Sequence, residues 1–198
     1  MRRNDWPLVA VSVLIVLWLL LARALGAKAQ TMHLSKPFAE IEYSPALRIP
    51  SMVEWIIRPD DLKNQAKRST WRFRIDPDVP KPRANHDDYL NTGYQRGHMC
   101  PAADRSSSKA LMRSTFVMTN ICPQAPSLNV GRWKQSEELC RLAARTYGSC
   151  TIRVAPVFFL EDTMFLGRHR VAVPHAFFKV AWCSEKQRII GIWLMYNH

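Results

Sequence analysis

The sequence predicts an α+β domain whose strands pair mainly antiparallel, with helices flanking the sheet. Short runs rich in β-branched and aromatic residues recur at 51–57, 152–160, 171–173, 177–182 and 189–196. Two helical stretches fall among them in irregular order, which argues against a doubly wound parallel sheet. The chain has 198 residues, 47% hydrophobic content and seven Trp, enough apolar material to build one proper core and to exclude a disordered chain.

In chain order, residues 1–29 read as a signal peptide or signal anchor. Arg2 and Arg3 precede an apolar run over 7–22, and Ala27-Lys28-Ala29 supplies small residues at the spacing of a cleavage site. The expectation is export. Cleavage would release a periplasmic or secreted domain spanning 30–198, and retention would tether it to the membrane through residues 7–22.

Residues 33–50 form a Pro-punctuated, partly extended lead-in, and 51–57 (SMVEWII) a strand with alternate positions facing the core. Three prolines and several charges make 76–88 a solvated loop, within reach of a substrate through Lys81 and Arg83. Residues 94–101 precede a helix that Asp104 could cap and that runs through 109–112. Residues 116–119 read as a strand. A longer helix covers 132–147, with Gly148 as its stop. On a wheel of ~100° per residue its stripe is Trp133, Cys140, Ala143, Ala144 and Tyr147, with Leu139 on the far side. Glu137 lies at the opposite edge of that stripe and Arg141 just beyond it.

Charge narrows the partners. Lys and Arg number 28 against 16 Asp and Glu, a formal net charge of +12, which favours nucleic acid or an anionic membrane surface. Five cysteines leave at least one without an intramolecular partner, and their spacing does not resemble a zinc site.

Three segments carry the chemistry: Arg96-Gly97-His98 running to Asp104, Asn120 to Gln124, and Asn129-Val130-Gly131-Arg132-Trp133 continuing to Glu137 and Arg141. Hydrolysing a phosphodiester requires a base that works near neutral pH, and histidine suits that task. It also requires positive charge for the transition state, which arginine and a hard divalent cation provide. Mg²⁺ prefers oxygen ligands and keeps several waters, so one Asn carbonyl and a Glu acting through water can suffice. Taken singly, these residues have ordinary readings: a structural histidine, a turn asparagine, and an i,i+4 surface ion pair.

Taken together, they resemble the DNA/RNA non-specific endonucleases of the ββα-metal (His-Me finger) superfamily, the group that includes endonuclease G. That pattern runs Asp-Arg-Gly-His, Pro-x-x-Asp, Asn-x-x-Pro-Gln, then Asn-x-Gly-x-Trp with a Glu eight residues after the Asn. It is matched here by Arg96, Gly97, His98, Pro101, Asp104, Asn120, Pro123, Gln124, Asn129, Gly131, Trp133 and Glu137. The resemblance implies His98 as general base, Asn129 as the direct ligand of Mg²⁺ (or Mn²⁺), and Glu137 reaching that ion through water. Arg96 and Arg141 would bind the scissile phosphate of DNA or RNA, and Asn120 would support the architecture. Two departures stand out: Gln95 replaces the leading Asp, and the sequence stops at Tyr196-Asn197-His198, where relatives often continue. A catalytically weak or inactive nucleic-acid-binding protein on the same fold is the alternative.

Overall fold

The computed structural model describes residues 31–63, 66–159 and 162–198; the expected leader, with its tether at 7–22, lies outside them. Strands β1 (Met32–Lys36), β2 (Ala39–Ser44), β3 (Ile49–Ile57), β6 (Cys150–Val157), β9 (Ala176–Cys183) and β10 (Arg188–Tyr196) form a six-stranded sheet in that spatial order. Every neighbouring pair is antiparallel. The α+β expectation therefore holds.

Two further strands, β4 (Gln95–His98) and β5 (Ile121–Gln124), pair as a separate antiparallel ribbon, with Gly97 opposite Cys122 and His98 opposite Ile121. Helix α1 (Lys109–Ser114) sits in the excursion between them. After β5, a single helical turn (Pro126–Leu128) leads into a wide turn over Asn129–Trp133, kinked at Gly131, and then into α2 (Lys134–Tyr147). Strands β7 (Phe165–Leu166) and β8 (Val171–Ala172) pair as a small hairpin.

Helix α2 lies on one face of the large sheet. Its stripe packs as the periodicity requires: Cys140, Ala143 and Ala144 are buried, whereas Leu139 on the far side is half exposed. Just ahead of the helix, Trp133 meets Phe177 of β9 edge to face, with ring centroids 5.3 Å apart. Lys179 of β9 donates to Ser136 Oγ at 2.8 Å and stacks its ammonium over the Trp133 ring. Gly148 ends the helix at φ 90°, a left-handed conformation that glycine adopts without a Cβ penalty.

Several local expectations need correction. The lead-in at 33–50 contains two strands, β1 and β2, because its backbone groups find partners across the β2–β3 edge. Asp104 caps nothing. Ser108 caps α1 by accepting from Leu111 N–H at 3.1 Å, and Asp104 is buried on other duties. Residues 116–119 make a single bridge, Val117 to Arg74, and a tight turn, while the strand itself starts at Ile121. The loop at 76–88 is less solvated than expected. Asp76, Val79 and Ala84 are buried, and Arg83 Nη1 donates to the Asp76, Pro77 and Val79 carbonyls, which engages it within the loop.

One disulfide, Cys150–Cys183, joins register partners at the ends of β6 and β9, leaving Cys100, Cys122 and Cys140 as buried thiols. Asn197 ties the end of β10 to the ribbon. Its Oδ1 accepts from Ala125 N–H at 2.7 Å, and its Nδ2 donates to the Pro123 and Pro174 carbonyls.

Candidate active site

The ribbon and α2 together line a cavity of about 630 Å³. His98, Arg96, Asn129, Glu137 and Arg141 all reach it, although they come from three separate stretches of chain. Arg68, Lys134 and Arg145 add to its walls and make it strongly basic. These three cations carried no motif, so nothing in the sequence singled them out.

His98 sits at the end of β4 in an aromatic box. Its ring lies 5.2 Å from Phe73 and 4.8 Å from Phe116, the second contact edge to face. Backbone pairing around Arg74 and Val117 brings these two phenylalanines together. Nε2 of His98 is buried and has no hydrogen-bond partner. Burial, reinforced by the Arg68 guanidinium, pushes the imidazole pKa from 6.5 down to about 3, so the ring is neutral at physiological pH.

Gly97 is required by close approach. A Cβ there would overlap the side chain of Gln124, which is fully buried on β5 two positions along from Cys122, the register partner of Gly97. Arg96 is aimed by its Nε and Nη2, which donate to the His86 carbonyl at 3.1 and 2.9 Å, and by the Tyr89 ring beneath it. Asn120 is buried and fully engaged. Its Oδ1 accepts from Cys100 N–H and its Nδ2 donates to the Cys100 and Thr115 carbonyls, which fixes the chain just after His98.

On α2, Glu137 and Arg141 are 3.7 Å apart, with side chains only 15% and 13% exposed, so they are not an ordinary solvated pair. Arg141 has a closer partner: its Nη1 donates to Asp104 Oδ1 at 2.9 Å, while Asp104 Oδ2 accepts from Trp55 Nε1 at 2.8 Å. Asp104 and Trp55 are thus the residues that hold Arg141, a role the Asp104 motif position did not disclose. Burial pushes the Glu137 carboxyl up to about 7; Lys179 and Arg141 oppose that rise and Asp104 adds to it.

Asn129 opens the wide turn before α2. Its backbone N–H donates to the Ala125 carbonyl at 2.9 Å, and its side-chain Nδ2 donates to Gln95 Oε1 at 2.7 Å. The Asn129 carbonyl oxygen takes no part in either bond. Among the described residues, no group of three or more His, Cys, Asp and Glu could hold a metal ion. The side-chain oxygens lining the cavity are the Asn129 amide, the Glu137 carboxylate and the Ser106 hydroxyl, the last already engaged with the Asp61 carbonyl. That set fits a hard cation that keeps most of its water, and fits poorly a soft or fully caged one.

Residues 21–197 match the DNA/RNA non-specific endonuclease family. The chain belongs to that family. It is 33% identical to the mitochondrial nuclease EXOG of Danio rerio over 150 residues, covering 71% of this chain and 44% of that protein. It is also 33% identical to the mitochondrial endonuclease G of Bos taurus over 148 residues, covering 70% and 50%. The chain thus spans about half the length of the curated relatives it matches. A chain in the crystal structure of an EndoG/EndoGI complex shares the fold, with a TM-score of 0.78 and 22% identity over 88% of this chain and 78% of that one.

These relatives correct the expectation of export. They are mitochondrial nucleases, not periplasmic or secreted ones. The composition of an apolar run behind two arginines does not say which compartment it serves. Among the described residues, no helix is long and apolar enough to cross a membrane.

Proposed function

We propose that this chain is a metal-dependent endonuclease that hydrolyses phosphodiester bonds of DNA and RNA with little regard for sequence. The observation that carries the reading is a neutral imidazole with an unpartnered Nε2, set in a basic cavity beside two anchored guanidinium groups.

His98 is the general base: its Nε2 takes a proton from the attacking water. The aromatic box keeps it unprotonated before substrate arrives. An incoming phosphate, being anionic, raises its basicity in the complex. Arg96 and Arg141 bind the scissile phosphate and offset the charge that develops on it. Their anchors on His86, Tyr89 and Asp104 leave little to reorganise when substrate binds.

Asn129 would hold Mg²⁺, or Mn²⁺, through its carbonyl oxygen, and Glu137 would act on the ion through water. Once bound, such an ion supplies Lewis-acid stabilisation of the phosphoryl oxygens and the departing alkoxide. The ends produced are a 5′-phosphate and a 3′-hydroxyl. Among the described residues no base-reading element is evident, and contacts led by phosphate explain tolerance of both sugars and of any sequence.

A plasmid-nicking assay on the purified protein tests this. Supercoiled DNA should relax and then degrade with Mg²⁺, single-stranded RNA should be degraded under the same conditions, and EDTA should stop both. Absence of cleavage with Mg²⁺ or Mn²⁺, or cleavage undiminished by EDTA, would overturn the reading.

A further inference from the structure

Gln95 stands at the first position of β4, in register with Gln124, so the ribbon fixes its backbone. Its side chain reaches across 34 residues of sequence to a single partner, the Asn129 amide, at 2.7 Å. Asn129 lines the cavity, and with its Nδ2 engaged on Gln95 and its backbone N–H on Ala125, its carbonyl oxygen is the side-chain atom outside these bonds. The family pattern has a carboxylate at this position. A carboxylate only accepts hydrogen bonds, so it admits one orientation of the asparagine, amino group inward and carbonyl outward. Glutamine both donates and accepts. If both amides turn over together, Gln95 donates to the Asn129 carbonyl, and Asn129 then presents an amino group to the cavity instead.

We propose that Gln95 is a positioning residue for cation binding, and that the Gln95–Asn129 amide pair reverses, so that the cation-binding orientation is held only conditionally. The inference rests on the reading of Asn129 as the metal ligand. The observed orientation, with Nδ2 on Gln95, leaves the carbonyl oxygen to accept a divalent cation. The reversed one repels it and lowers the apparent affinity by the fraction of molecules that adopt it. Gln95 is also neutral, so it brings no negative charge toward the ion. Both effects weaken cation binding relative to an acidic residue at the same place, and one substitution of equal length removes both.

The test is calorimetric titration of the full chain with Mg²⁺, and separately with Mn²⁺, without nucleic acid. Gln95→Glu, which can only accept, should bind the ion tenfold or more tightly than wild type. Gln95→Ala, which leaves the Asn129 amide unheld, should bind it about tenfold more weakly, the scale of lost support to a metal ligand. Thermal melts confirm that both variants fold. In ¹⁵N spectra, the Asn129 side-chain amide should be broadened by exchange in the metal-free wild type and sharpen with Mg²⁺ or in Gln95→Glu. Affinity in either variant within twofold of wild type would overturn the inference and leave the nuclease reading standing. So would a sharp Asn129 amide in the metal-free wild type that Mg²⁺ does not alter. No binding of either ion by any of the three proteins would remove the metal reading and this inference with it.

Discussion

Asp104 accepts a hydrogen bond from Arg141 at 2.9 Å, joining the turn after β4 to α2 across 37 residues of sequence. Both groups are largely withdrawn from water, with side-chain exposures of 1% and 13%. Removing one partner of a buried pair costs about 3–5 kcal/mol where the other charge is left alone, and Glu137, 3.7 Å from Arg141, offsets part of that here. Asp104→Ala should therefore melt earlier and cleave more slowly, because Arg141 loses its aim. Asp104→Asn, which keeps an acceptor, should recover most of the stability and less of the activity. Chemical denaturation alongside cleavage rates would show this, and an Asp104→Ala protein as stable as wild type would exclude it.

Gly97 and Gln124 make a different kind of pair, one of shape. Gln124 is fully buried, so Gly97→Ala should overpack the ribbon by about 1–3 kcal/mol and displace His98 next to it. Gln124→Ala in the same chain should relieve the clash. A double-mutant cycle would then give a coupling energy well outside the ~0.5 kcal/mol expected of independent sites. Simple additivity would show that Gly97 is present for some other reason.

The pH dependence of stability has a defined sign at His98. Its imidazole takes a proton near 6.5 when unfolded and only near 3 when folded. Between those values the unfolded chain binds the extra proton, so stability falls as pH drops from about 6.5 toward 3 and is unaffected above that window. His98→Ala should flatten this part of the Tm profile while slowing cleavage at neutral pH by ~10²-fold or more. Parallel Tm profiles for the two proteins would refute the neutral, buried imidazole.

How much of this was legible depends on where each residue's partners lie. Helix α2 was readable because its stripe is local, and its buried positions are those the 3.6 period selects. Strands β1 and β2 were not. Pro37, Pro45 and Pro50 break the pattern, and β1 is a half-exposed edge whose identity comes from pairing with β2. The motif positions of His98, Asn129 and Glu137 were visible, but the aromatic box was not, since Phe73 and Phe116 lie far along the chain and are ordinary core residues in isolation. Asp104 was visible as a letter in a pattern and misread as a cap, because its partners, Trp55 and Arg141, lie 49 and 37 residues away.

The cavity cations outside the motifs should govern affinity more than chemistry. Lys134 and Arg145 line its wall, and the charge acting on the His98 imidazole is that of Arg68. Replacing either with Ala should weaken duplex binding across all sequences and reduce the slope of log affinity against log salt by about 0.9. Filter binding of His98→Ala backgrounds, which bind without cutting, gives that slope directly. An unchanged slope in both variants would place the phosphate track elsewhere.

Cys100, Cys122 and Cys140 are buried in one core, and burial pushes all three thiols up, Cys140 to about 12. A thiol that is neither ionised nor accessible does not meet an alkylating reagent while the fold is closed. Each alkylation in native buffer is thus a record of an opening, and its rate, divided by that of an unfolded peptide, measures how often the core around that sulfur breathes. Cys122, on the ribbon, and Cys140, on α2, sample the two halves of the cavity separately. Equal rates would mean that the ribbon and the helix open as one unit, and unequal rates would identify which of them lets go first.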